Sequence, residues 1–117
     1  MSFKFENLRI WHISMDFGED LYNLSKTFPK DEVFNLTSQL RRASDSIALN
    51  ISEGSILQSA PEYKKFLSYS IRSLAEVVTC LHKAKRRKYI DENQFQTKYK
   101  QAYNLMNMMV SFRSKIK

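Results

Sequence analysis

Gln39, Arg42, Ser46, Asn50 and Glu53 are spaced 3, 4, 4 and 3 residues apart. At 100° per residue they fall on one stripe of a helix. That stripe lies about 100° round from an apolar seam of Leu36, Leu40, Ala43, Ile47 and Ile51. A cation, a carboxylate, a hydroxyl and two amides beside a core seam must hydrogen-bond to one another or to a facing helix. Two readings follow. One is an internal polar network that holds helix register. The other is an active-site cleft, which would need a nucleophile–base pair that the stripe does not contain. Arg42 is the member most in need of a partner, and Glu76, amid an apolar stretch, is the carboxylate expected to pair with it. If that pair is part-buried, Arg42→Ala should cost roughly 3–5 kcal/mol by stranding the carboxylate.

The second constellation is Lys83-Ala84-Lys85-Arg86-Arg87-Lys88, five cations in six residues. Cations at a helix C-terminus complement the helix dipole and aid solubility. Five together also suit contacts to nucleic-acid phosphates. Tyr89, which follows, either stacks on a base or plugs the helix end.

Other chemistry finds little material. Cys80 and His82 are two apart and so face different sides of a helix, while His12 stands alone beside Trp11. A single cysteine excludes an internal disulfide framework and a multi-cysteine metal site. Met106, Met108 and Met109 read as core or interface filler. No phosphate loop, dinucleotide turn or Ser–His–Asp order is present. The sequence thus makes no case for an enzyme, a cofactor, a metal or a small-molecule substrate.

The elements that position these groups follow from sparse punctuation. The chain has 117 residues, with only 2 Gly and 2 Pro. An all-β fold would need many more turn formers. Breaks fall at Thr27–Lys30 around Pro29, at Glu53–Pro61 around Gly54, and at Arg87–Asp91. They separate four segments with helical apolar spacing and no strand-type alternation. Ile13, Phe17, Leu21, Leu24 and Phe28 form the first seam, and Leu36 to Ile51 the second. Tyr63, Leu67, Ser70, Leu74, Val77, Leu81 and Ala84 form a heptad seam in the third. Phe95, Tyr99, Ala102, Met106 and Met109 give one seam in the fourth, with Leu105, Phe112 and Ile116 offset from it. Ser59/Glu62 and Asp91/Gln94 have capping-box spacing. The helices are expected at about 7–27, 30–53, 60–88 and 91–115. Short links force neighbours antiparallel. The fold class is therefore all-α, one domain over 1–117, an antiparallel up-down-up-down four-helix bundle.

Charge is uneven. Residues 1–60 carry 6 Lys/Arg against 8 Asp/Glu, and residues 61–117 carry 13 against 4. The second half thus favours an anionic partner. No run approaches the ~18 apolar residues of a membrane helix, and the N-terminus has no apolar signal core. The cytoplasm is the expected location. Second apolar stripes on the first, third and fourth helices exceed what a lone bundle buries, so a homo-oligomer is expected.

Phe28-Pro29-Lys30-Asp31-Glu32, Leu36-Thr37-Ser38-Gln39-Leu40-Arg41-Arg42-Ala43, Ser46-Ile47 and Asn50-Ile51-Ser52-Glu53-Gly54 together resemble a family signature. It is that of the bacterial four-helix-bundle proteins encoded by intervening sequences in 23S rRNA genes. Phe66-Leu67 and Ser73-Leu74-Ala75-Glu76 continue the resemblance, which runs from about residue 5 to 90. Arg72 stands where the family usually has Gly, and Ser55-Ile56-Leu57-Gln58 lacks a basic residue often found there. The resemblance implies a four-helix bundle, a homopentamer and no attached catalytic activity. The family is also similar to the accessory protein of diversity-generating retroelements, a basic pentamer that works with nucleic acid. Two functions remain open at this point: a basic oligomeric scaffold for RNA or DNA, and a structural or protein-interaction oligomer that binds neither.

Overall fold

The computed structural model describes residues 1–56 and 59–117. Leu57 and Gln58, part of the sequence departure after Gly54, lie outside the described residues. Four helices account for most of the rest: α1 (Arg9–Ser25), α2 (Leu36–Ser55), α3 (Ala60–Arg86) and α4 (Glu92–Ser114). They pack as an antiparallel four-helix bundle measuring 44 × 24 × 23 Å. α2 packs between α1 and α3, and α4 closes the square against α3 and, more lightly, α1.

Periodicity explains the core. Leu36, Leu40, Ala43, Ile47 and Ile51 are all buried, as is the whole heptad seam of α3 from Tyr63 to Ala84. On α4 the two expected seams merge. Phe95, Ala102, Leu105 and Met109 are buried together, while Tyr99, Met106 and Phe112 flank them half-buried. α4 meets both α3 and α1, so its apolar arc is broad and no single stripe describes it.

The helix ends follow local chemistry in some places and depart from it in others. Asp91 Oδ1 accepts from the Gln94 N–H at 2.8 Å, and Gln94 Oε1 accepts from the Asp91 N–H at 2.9 Å, a complete capping box. Ser59 makes only the forward half, accepting from the Glu62 N–H at 3.2 Å. α2 begins at Leu36 rather than Lys30. Residues Lys30–Glu32 form a single 3₁₀ turn, and Asn35, at φ −128° and ψ −103°, interrupts the chain before the helix. Glu32 still serves the helix start, because its Oε1 accepts from the Leu36 N–H at 3.3 Å.

Gly54 is not the helix stop that its type suggests. It is buried inside the last turn of α2. A Cβ there would lie 2.9 Å from the Phe66 Cβ, so Gly54 lets the start of α3 approach the end of α2. At the far end of α3 the stop is a Schellman motif. Tyr89 N–H donates to the Ala84 carbonyl at 2.9 Å and Lys88 N–H to the Lys85 carbonyl at 3.0 Å. Lys88 takes the left-handed position, with φ 63°.

Candidate nucleic-acid interface

The polar stripe of α2 runs along the lip of the α2/α3 groove. Gln39, Ser46 and Asn50 are half-buried, but Arg42 and Glu53 are exposed. The contacts that stitch the two helices are made by hydroxyls. Ser46 and Ser73 bond to each other across the groove. Ser70, fully buried, donates to the Ile47 carbonyl at 2.6 Å. Asn50 turns back to the Ser46 carbonyl at 2.8 Å.

The expected part-buried Arg42–Glu76 pair is not formed. Both residues are exposed, and no ion pair joins them among the described residues. They line one groove with Gln39, Thr79 and Lys83, where each keeps its hydration and avoids the desolvation that a buried pair would incur. The arginine that reaches inward is its neighbour Arg41, 100° round the helix. Arg41 Nε donates to Ser25 Oγ at 2.8 Å, and its guanidinium sits 4.6 Å from the centroid of the Tyr22 ring.

The cationic cluster divides into two groups. Lys85 is engaged: its Nζ lies 2.8 Å from Glu92 Oε2 and 4.5 Å from the Phe95 ring centroid. Arg87 is engaged too, with Nη1 3.0 Å from Glu32 Oε2. The same carboxylate oxygen accepts from the Tyr89 hydroxyl at 2.6 Å, and Asn35 donates to the other oxygen at 3.0 Å. Tyr89 packs on Phe28 and so plugs the helix end. Lys83, Arg86 and Lys88 are exposed and make no ion pair among the described residues.

Glu32 is an organising residue that sequence reasoning missed. It is buried, and it ties the α1–α2 link to the α3–α4 link, 55 and 57 residues away in sequence. Donation from Tyr89, above all, holds the Glu32 carboxyl below its ordinary range, and the bond to Glu32 raises the Tyr89 phenol. Nothing local marks such a carboxylate. The only sequence signal is a Tyr directly after a cationic helix end. Burial pushes the Cys80 thiol up, which makes it a poor nucleophile.

What remains is an exposed face on α3. Lys65, Arg72, Glu76, Thr79, Lys83 and Arg86 recur along it at helical spacing, and all are exposed. Arg42 joins Lys83 in the groove alongside. Among the described residues, none of the large exposed apolar side chains belongs to α3. Among the described residues no His/Cys/Asp/Glu group has the arrangement of a metal site. No helix among them is long and apolar enough to cross a membrane.

The family described as 23S rRNA-intervening sequence protein matches residues 6–111. The chain belongs to that family. A solved structure from Bacteroides thetaiotaomicron, of a protein of unknown function from the S23 ribosomal protein family, has the same fold. It superposes with a TM-score of 0.83 at 22% identity, over 89% of this chain and 97% of that one. No curated protein matches the chain.

Proposed function

We propose that this member of the family is a non-enzymatic basic scaffold that assembles with itself and binds RNA or DNA through phosphate contacts in the cytoplasm. The observation that carries the reading is the α3 face, where Arg72, Lys83 and Arg86 point outward beside Arg42 with no large exposed apolar side chain among them. Such a face suits a polyanion, and its contacts would be to backbone rather than to bases. The interface is therefore Lys83, Arg86 and Lys88 with Arg72 and Arg42. Lys85 and Arg87 are already committed to Glu92 and Glu32. The number of subunits, five, comes from the family resemblance alone.

The experiment is a mobility-shift series on structured RNA and on duplex DNA, comparing the parent with Lys83→Gln/Arg86→Gln/Lys88→Gln. The triple variant should bind all sequences more weakly. Its salt slope should flatten by roughly one unit for each phosphate it no longer neutralises. Equal affinity at about 150 mM salt, near the physiological value, would leave the face a solubility device. The second reading, a protein-interaction oligomer with no nucleic-acid partner, would then stand. It is favoured by the exposed apolar pairs Met15/Tyr22 and Tyr103/Val110.

A further inference from the structure

We propose that the groove between α2 and α3 reads the ribose 2′-hydroxyl through Glu76, so that this chain takes RNA in preference to DNA. This rests on the phosphate binding proposed above and names which nucleic acid the same face selects.

The observation is one carboxylate on a basic face. From residue 63 to residue 90 the chain has eight Lys/Arg and a single Asp/Glu, Glu76. Glu76 is exposed in the middle of α3, with Arg72 about one turn before it and Lys83 about two turns after it. Arg42 of α2 and Lys83 line the same groove, which holds about 400 Å³. A surface for phosphate alone has no use for this carboxylate, because like charges repel.

Nor is Glu76 spent within the fold. Among the described residues no ion pair reaches it. Arg72 lies instead over the Tyr69 ring, 5.7 Å from its centroid. The Thr79 hydroxyl, in the same groove, donates to the Ala75 carbonyl at 3.0 Å. The carboxylate therefore stands between cations as an acceptor in need of a donor.

A nucleic-acid backbone has one donor to give. Ribose presents a 2′-hydroxyl beside each phosphate, and deoxyribose has none. With Arg42 and Lys83 on phosphate oxygens, the Glu76 carboxylate accepts from the 2′-hydroxyl between them, a charge-assisted hydrogen bond. On DNA the same carboxylate meets only acceptors and repels them. One side chain thus favours the right partner and penalises the wrong one. A-form RNA suits the arrangement, because its wide, shallow minor groove displays the 2′-hydroxyls. Base amino groups are the other donors, but RNA and DNA share them, so a contact to bases would not separate the two.

The test is a mobility-shift comparison of one hairpin sequence made as RNA, as DNA and as 2′-O-methyl RNA, which keeps the RNA backbone but lacks the donor. The parent should bind the RNA about tenfold more tightly than either of the others, the worth of a hydrogen bond to a charged group. Glu76→Ala should bind DNA and 2′-O-methyl RNA more tightly than the parent does, and its preference for RNA should vanish. Glu76→Gln, which keeps an acceptor without the charge, should retain part of that preference. A parent that binds all three hairpins equally overturns this inference and leaves phosphate binding standing. So does a preference for RNA that survives unchanged in Glu76→Ala. A parent that binds none of the three overturns the proposed function as well. The comparison of hairpins on the parent needs no variant to fold.

Discussion

Replacing Gly54 by Ala adds a single methyl group at the tightest point of the α2–α3 corner. Its Cβ would lie 2.9 Å from the Phe66 Cβ, 3.1 Å from Tyr63 Cδ1 and 3.3 Å from the Tyr63 carbonyl oxygen. Carbon atoms prefer about 3.5–4.0 Å, so the helices would have to part by about 0.6–1 Å. The Phe66 Cβ and the Tyr63 carbonyl are fixed to the α3 backbone, and no rotamer change moves them aside. Overpacking of this kind costs about 1–3 kcal/mol, and the upper end applies because backbone must shift. Ala returns about 1 kcal/mol of helix propensity, leaving a net loss of about 2 kcal/mol. At about 4 °C per kcal/mol for a domain of this size, the thermal midpoint should fall by about 8 °C. Gly18→Ala is the matched control. There the new Cβ meets only Ser44 Oγ, at 3.4 Å, so most of the propensity gain survives. It should stabilise by about 0.5–1 kcal/mol. Urea unfolding at fixed protein concentration measures both changes, with the m-value constant. If Gly54→Ala proves as stable as the parent, the close approach is not what the glycine is for.

Two further outcomes test other parts of the fold. Glu32 has a folded-state pKa below its ordinary value of 4.5, so the native state binds fewer protons than the unfolded chain in that window. Its stabilisation is present above pH 4.5 and is lost as pH falls through the lowered value. Urea midpoints at pH values from about 3 to 7 should drop more steeply for the parent than for Glu32→Gln, and parallel curves would remove Glu32 from its organising role. Lys88→Gly should stabilise by about 0.5 kcal/mol in the same assay, because only Gly occupies the left-handed position without strain. A loss of stability would show that the lysine makes some other contribution there.

Those residues also show what a sequence discloses. The seams of α2 and α3 were legible because a buried stripe repeats every three or four residues and each repeat confirms the phase. Arg41 and Arg42 were confused because adjacent residues differ by 100°, and a polar residue beside a seam lies within that error. The start of α2 was misplaced because Glu32 has fitting helix-start chemistry but is drawn to Tyr89 and Arg87, which local pattern cannot place beside it. Gly54 reads as a stop by type, whereas its use depends on the side chains of another helix. In the cationic run the residue types were legible. Which of them are spent on Glu32 and Glu92 depended on where the neighbouring links come to rest.

α4 packs on α3 and only lightly on α1, while α2 and α3 share the most extensive pairing in the molecule. That asymmetry gives opening an order. The α2–α3 hairpin, closed by Gly54 and tied by Ser70 to Ile47, joins segments adjacent in the chain, and such local pairings form fastest. α4, held by fewer neighbours, should be the first helix to open, so native-state amide exchange should protect α2 and α3 longest and α4 least. Equal protection across the four helices would show that the bundle opens only as a whole.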